Sequence, residues 1–481
     1  MNIRKTGGLL LFLFAFLGVR AEDVTESHEW LKIYYDVNGI EHIVSQPVAE
    51  IDSVFFSQDP KIDGSLDSSH PGGGHKVNVV SRNGGVQSAY IETIRAMVLS
   101  GNIPTVYIDT DTPVKEIPNK TDYLDADFKY VPYGDGTDSV KARVSIRGRG
   151  NTTWFLPKKP YRLKFDKKQE IGPLNKAKSF VLIANYLDNT LIRHVVAFKI
   201  ADLLGMPYTN IPWPVNVELN GVQKGSYFIS NKVGINSGSV DINEKKGILW
   251  EFDENYDEDF KFRDSTYLFP CMVSDPDFYE ITEDDDEVNE MWEYWQADLE
   301  RALKSTKTGD WAEEFDEEQL IKFLIVNGIA QNFELKFPKS LYLYKEKKEG
   351  KYKLGPVWDF DWAFGYTNKD VSGKLLYDGP FRGMVRNISN SDETFVPKIK
   401  EEFENFYNNH LEELMDFIDE YAALIRDSAL ADAWIWPAEK ANDFETSPRN
   451  TFRFDENVAA LKAWILERVE AMKESPTCAI L

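Results

Sequence analysis

Gly355-Pro356-Val357-Trp358-Asp359-Phe360-Asp361-Trp362-Ala363-Phe364-Gly365 places two carboxylates inside an otherwise apolar, aromatic run. Unpaired carboxylates are costly to bury, so Asp359 and Asp361 are expected to be exposed, hydrogen-bonded, paired with cations or bound to a metal. Read as a strand, the run puts both aspartates on one face and Trp358, Phe360 and Trp362 on the other. Two carboxylates on one face suit a hard cation such as Mg2+, which takes one or two carboxylates together with phosphate oxygens. A structural pair held by arginine or backbone amides fits the spacing equally well. A glycosidase pair does not, because that chemistry needs carboxylates on opposite sides of a sugar bond.

Upstream, Arg147-Gly148-Arg149-Gly150-Asn151-Thr152-Thr153 combines two guanidinium groups with glycines that let backbone amides approach an anion. Lys158, Lys159, Arg162 and Lys164 follow. So many cations stand out in a chain of formal net charge −24. A phosphate or nucleotide tail is the natural guest, and a solvated turn with surface lysines is the alternative. Strand alternation over residues 161–165 sets Tyr161, Leu163 and Phe165 on one face and Arg162 and Lys164 on the other. In Asn185-Tyr186-Leu187-Asp188-Asn189-Thr190-Leu191-Ile192-Arg193, Asp188 or Asn189 is expected to cap a helix that starts near Thr190. Arg193 is a candidate brace for Asp359 or Asp361.

The pattern around these segments is α+β, sheet-rich first and helix-rich later. Strands are expected at 30–35, 41–44, 105–109, 123–131, 141–147, 161–165, 179–184, 341–345 and 352–358. The Asn220-Gly221 pair between 215–219 and 225–229 is a hairpin signal. Helices are expected at 90–99, 191–204, 290–305, 317–332, 401–428 and 456–473. Residues 57–74 read as a loop or linker, and the acidic run at 283–287 as a solvated loop. That run lacks the glycine and ligand alternation of an EF-hand.

The first 21 residues read as an export signal: Arg4 and Lys5, an apolar run at 8–19, then Val19-Arg20-Ala21. Residues 22–101 are then an N-terminal β-rich region and 102–475 the main domain. The apolar run is short for a membrane span, and no later stretch is long and apolar enough, so no integral segment is expected after cleavage. The acidity disfavours nucleic acid as a partner. Cys271 and Cys478 are the only cysteines, and the six histidines include no zinc-protease pair, so neither a disulfide scaffold nor a zinc cluster is expected.

Taken in order, the Arg147–Trp154 segment, Lys158-Lys159-Pro160-Tyr161-Arg162-Leu163-Lys164-Phe165, the 184–193 segment, Leu219-Asn220-Gly221, Gly225-Ser226-Tyr227, Pro338-Lys339-Ser340 and the 358–365 run resemble the CotH kinase family. These are exported, atypical protein-kinase-like proteins named after a bacterial spore coat protein. The resemblance implies a divergent protein-kinase-like fold with a β-rich N-lobe and a helical C-lobe. It also implies ATP with Mg2+ or Mn2+, and transfer of the γ-phosphoryl group to a Ser or Thr of a protein substrate. On that resemblance, Asp359 binds the metal, with Asp361 as its helper or a further ligand. Lys164 or Lys159 steadies the ATP phosphates, and Arg147 and Arg149 line the phosphate end. Glu334 stands where active relatives carry the aspartate that accepts the substrate proton. Asn231 stands where a glutamate is common. A non-catalytic, pseudokinase-type binding protein on the same fold is the alternative. Periplasm, cell surface and extracellular medium all remain open.

Overall fold

The structure, a computed structural model, describes residues 30–37, 40–47, 51–58, 75–81, 86–90, 94–100, 103–133, 138–336, 338–366, 370–372, 379–436 and 454–474. The export signal expected at 1–21, all but the start of the 57–74 segment, and Cys478 lie outside the described residues. Cys271 is free and buried.

Two three-stranded sheets come first. One joins β1 (Trp30–Val37) to β2 (Ile40–Pro47) and to β6 (Ile94–Ser100). The other is β3 (Ile51–Gln58), β4 (His75–Ser81) and β5 (Val86–Tyr90). The helix expected at 90–99 is therefore strand. Apart from Glu92, Thr93 and Arg95 the segment is apolar and suits either period, and antiparallel pairing of β6 with β1 decides the outcome.

Residues 105–231 form a closed barrel from β7 (Thr105–Thr110), β8 (Leu124–Val131), β9 (Val140–Gly148), β10 (Tyr161–Gln169), β11 (Ala177–Ile183), β12 (Trp213–Leu219) and β13 (Val222–Asn231). Around the barrel the order is β10-β11-β13-β12-β7-β8-β9, with β12 and β7 parallel and the other neighbours antiparallel. Period-two alternation fills it: Phe128, Phe165 and Phe180 meet edge to face, with ring centroids 4.9 and 5.7 Å apart. The β12–β13 turn uses Asn220 at φ +50 and Gly221 at φ +76, the positive pair a tight hairpin requires.

β11 and β13 are buried on both faces. Phe180, Leu182, Tyr227 and Ile229 point into the barrel, whereas Val181, Ile183 and Phe228 join the larger core outside it. That larger core is built by a second sheet, β14 (Ile248–Phe252), β15 (Lys261–Arg263), β16 (Pro270–Asp275), β17 (Leu341–Lys345) and β18 (Lys353–Leu354), in the order β15-β16-β14-β17-β18. Its helices are α1 (Arg193–Leu203), α2 (Phe278–Ile281), α3 (Asp285–Thr308), α4 (Trp311–Glu314), α5 (Glu317–Ala330), α6 (Pro380–Ser391), α7 (Phe395–Asn409), α8 (Leu411–Ile435) and α9 (Phe454–Glu474). α5 is buried at every residue from Leu324 to Ala330, as a helix apolar all round must be.

The mixed α+β class is as expected. The closed barrel is more specific than a β-rich lobe, and the strands β14 to β16 had no counterpart in the sequence reading. Two further expectations change. The acidic run is the N-terminus of α3: Asp284 accepts the backbone N–H groups of Asp286 and Glu287, and Asp285, Asp286 and Glu287 sit in the first turn, where the helix dipole favours them. The helix expected over 401–428 is two, α7 and α8, broken at His410.

Candidate functional site

The strand expected at 352–358 ends at Leu354, and residues 361–366 are turn. Asp359 has φ +64, a left-handed conformation incompatible with an extended run. The alternating-strand geometry for the two aspartates is therefore replaced by a loop. The aromatic residues anchor that loop. Trp358 stacks on Phe198 of α1 at 5.6 Å, Phe360 meets the same ring edge-on at 6.5 Å, and the Phe364 N–H donates to the Ala330 carbonyl at the end of α5. With the rings in the core, both carboxylates still reach one cleft of about 450 Å³.

Glu334 lines the same cleft. It sits on the one-turn 3-10 segment Phe333–Leu335 just after α5. Asn332 ties the two acid-bearing segments together: its Oδ1 accepts the Glu334 N–H at 3.2 Å, and its Nδ2 donates to the Asp359 carbonyl at 3.4 Å and to Asn327 Oδ1 at 3.2 Å. Glu334, Asp359 and Asp361 are thus brought together from segments 25 or more positions apart in sequence.

His194, the second residue of α1, places Nε2 3.5 Å from Asp359 Oδ1. Burial raises the Asp359 carboxyl, but His194, Arg149 and Lys339 outweigh it and hold the group below the ordinary carboxylate range. Its side chain remains 38% exposed to the cleft. Asp361 is shifted the other way. Burial, then the Asp359 and Glu334 charges, push it up to about 8. Glu334 also rises to about 8, from burial and the Asp359 charge, against the pull of Lys339. Deeper in the cleft, Glu251 accepts from the Tyr342 hydroxyl at 3.0 Å and is pushed up to about 8 by burial and Asp253.

The cations divide. Arg149 lies in the cleft with its guanidinium 5.9 Å from the Trp358 ring centroid, its charge favoured by Asp359 against strong desolvation. The loop that follows, Gly150 to Thr153, lines the cleft beside it. Trp154 closes against Gly148 so tightly that any Cβ there would clash with its ring. Arg147 is at the rim, over the Tyr123 ring and donating to the Lys120 carbonyl. Lys159 and Lys164 are not brought to the cleft. Lys159 donates to the Trp154 carbonyl at 2.6 Å, and Lys164 is exposed on β10 facing a neighbouring cavity. The predicted alternation on β10 holds, but it points Lys164 outward beyond the cleft. Arg162, Lys232 and Lys339 line the cleft instead.

Arg193, expected as a brace for Asp359 or Asp361, pairs with Asp188. The N-cap of α1 is Ile192, with no side-chain cap, so neither Asp188 nor Asn189 takes that position. Asp188, four residues before it, instead accepts the Arg193 N–H at 2.8 Å and the Thr190 N–H at 2.9 Å. Asn231 donates to the Asn175 carbonyl at 3.0 Å. His194, Lys232 and Lys339 lie in or beside the family-like segments, but nothing in their spacing marks them for the cleft. Only the packing of α1 against the 358–364 loop singles out His194.

Among the described residues, no group of three or more His, Cys, Asp or Glu side chains is arranged to hold a metal by itself. Two carboxylates and a guest's phosphate oxygens are the donor set on offer, which is how Mg2+ is commonly held. Burial first, and then the charge of Asp359, raise Asp361 and Glu334, and a divalent cation would offset the second of these.

Fold and cleft together define a mixed α+β protein with a barrel, a helical layer and a polar cleft of clustered acids and cations. The model of the CotH kinase protein family matches residues 146–472, most of the chain, and the chain belongs to that family. A comparison with curated proteins finds no match. No helix among the described residues is long and apolar enough to cross a membrane.

Proposed function

We propose that this protein is an exported kinase that transfers the γ-phosphoryl group of ATP to a Ser or Thr hydroxyl of a protein. The observation that carries the reading is the meeting of Glu334, Asp359 and Asp361 in one cleft with Arg149, Arg162, Lys232 and Lys339. Asp359, kept ionised by His194 and Arg149, and Asp361 would hold Mg2+ or Mn2+, with Asn332 tying their loop to the segment that carries Glu334. The bound ion would neutralise the phosphate charge and align the phosphate groups for in-line attack. Arg149 and the Gly150–Thr153 loop would meet the phosphates, and the cations Arg162, Lys232 and Lys339 would balance the remaining charge. Glu334 in its deprotonated form would take the proton from the acceptor hydroxyl. The hydroxyl oxygen then bonds to the γ-phosphorus as the bridge to the β-phosphate breaks and ADP leaves. A kinase-like pairing of a β-rich lobe, here the barrel, with a helical lobe is part of the same reading. So is export, which rests on the leader at 1–21 and predicts a mature N-terminus after Ala21.

A second reading, a non-catalytic binding protein on this fold, draws on one observation. Glu334, raised to about 8, carries its proton at neutral pH before any cation enters. Labelled ATP with Mg2+ or Mn2+ separates the two. The kinase reading expects label on a protein acceptor, reduced to background by Asp359→Asn. Absence of any nucleotide-induced rise in melting temperature with either metal would reject it, and nucleotide binding without transfer would favour the second reading.

A further inference from the structure

A second cavity of about 890 Å³ opens directly beside the cleft, and Arg162, Lys232, Glu258 and Ser274 line both. One wall is the β10–β11 hairpin, which presents Lys164, Lys168, Lys176 and Lys178, all exposed. None of the four makes an ion pair among the described residues. Lysines elsewhere on the fold do: Lys199 with Glu413, Lys398 with Glu317 and Lys462 with Asp419. In a chain with 79 acidic and 55 basic residues, a row of lysines left without acids needs a reason. The alternation that fills the barrel supplies the placement: Leu163 and Phe165 point inward, so Arg162 and Lys164 line the outer face, leading away from the cleft. Asp166 and Glu170 of the same hairpin do not line the cavity.

The opposite wall differs in sign. Asp259, Asp277 and Glu280 face the cavity from the segment before β15 and from around α2. Asp277 caps α2 by accepting the Tyr279 N–H at 3.0 Å, and Asp275, beside it, accepts the Ile235 N–H at 2.8 Å and faces Lys232. A groove basic on one side and acidic on the other repels a continuous phosphate backbone, as does the net charge of −24. An extended peptide suits it, because successive side chains point to opposite sides and acids at alternate positions can all face the lysine wall.

We infer that this groove is the docking site for the protein substrate, and that it selects a Ser or Thr whose flanking segment is extended and carries acidic side chains on one face. The inference rests on the kinase reading for the role of the acceptor, but not for the binding itself. The acceptor hydroxyl lies at Glu334, and the flanking chain runs past Ser274 and Lys232 along β10 and β11.

The test measures binding without nucleotide, by fluorescence anisotropy of short labelled peptides on the full-length protein at low salt. One peptide carries a serine flanked by glutamates at alternate positions, a second has lysines in their place, and a third has glutamines. The acidic peptide should bind about tenfold or more tighter than the other two, and the difference should shrink as salt is raised. The triple variant Lys164→Glu/Lys168→Glu/Lys176→Glu should lose or reverse the preference. The milder Lys→Gln set at the same positions should abolish most of it. Melting temperature and the nucleotide-induced shift of both variants should match the parent, since the three side chains are exposed and unpaired. Equal or tighter binding of the lysine peptide, or an unchanged preference in both variants, overturns the inference. Displacement of the acidic peptide by a single-stranded oligonucleotide at equal concentration also overturns it, in favour of a general polyanion site. A failure of nucleotide binding would reject the kinase reading while leaving the peptide measurement intact.

Discussion

Glu334 decides whether the cleft can act on a hydroxyl, because it is the acid raised to about 8 that also stands beside the proposed acceptor site. A general base works only when deprotonated, so transfer should rise with pH, on a limb that lies below about 8 because the bound cation favours the charged form of Glu334. Lys339 pulls the Glu334 carboxyl down and favours its charged form, so Lys339→Gln should move the rising limb to higher pH. Glu334→Gln should remove the limb and cost about 10²- to 10⁴-fold in rate, with nucleotide binding kept. A pH–rate profile of the three proteins checks this, and an unmoved limb in Lys339→Gln would remove Glu334 from the role. Asp359 and Asp361 were legible as a pair needing an explanation, but their split was not. Which carboxylate stays charged depends on His194 and Arg149, which reach Asp359 from α1 and from the end of β9. Neither approach is written into the spacing of Trp358-Asp359-Phe360-Asp361. Lys164 shows a related limit: alternation puts it on the outer face of β10, but how far the cleft extends along that face depends on residues distant in sequence.

At the scale of elements, the barrel is joined to α8 through a buried ion pair. Lys158, wholly buried just before β10, sits 2.6 Å from Asp432 of α8, and Asp432 also accepts the Ser226 N–H of β13 at 2.9 Å. Lys158 also lines the cleft. Taking away one partner of such a pair leaves a charge in low dielectric. Asp432→Ala should therefore cost about 3–5 kcal/mol in chemical denaturation, whereas Lys158→Met/Asp432→Leu should recover much of that loss. If the single variant is neutral, the pair is not what holds α8 to the barrel. Local elements were the most legible part of the chain. The β12–β13 hairpin follows from Asn220-Gly221, and β10 from its alternation. The 90–99 strand and the 355–365 loop depart from expectation because a largely apolar run fits more than one period, and tertiary partners choose between them. Closure of the barrel could not be read at all. It depends on β7 beside β12 and β9 beside β10, and the first of these pairs residues more than 100 positions apart.

For the whole molecule, three carboxyls of the cleft, Asp361 buried and Glu251 and Glu334 half-buried, contribute most to the pH dependence of stability. Glu251, Glu334 and Asp361 are each pushed up to about 8, far above the ordinary range they regain on unfolding. Between that range and about 8 the folded protein holds more protons than the unfolded chain. By linkage its stability therefore falls as pH rises through this window. Asp359 is depressed and acts in the opposite sense, its contribution being lost only as pH falls below the ordinary carboxylate range. The metal-free protein should thus melt at its highest temperature on the acid side of neutrality and decline steadily towards about pH 8. Mg2+ with ADP should flatten the part of the slope that belongs to Asp361 and Glu334, since a cation at Asp359 and Asp361 favours their charged forms. Glu251→Gln should remove the share that no cation reaches, because Glu251 owes its shift to burial and Asp253. Melting curves across pH for the parent and Glu251→Gln, each with and without Mg2+ and ADP, measure all three shares. A melting temperature that climbs through the window would show that these acids are charged in the fold. The crowding of carboxylates proposed to receive the cation would then be absent.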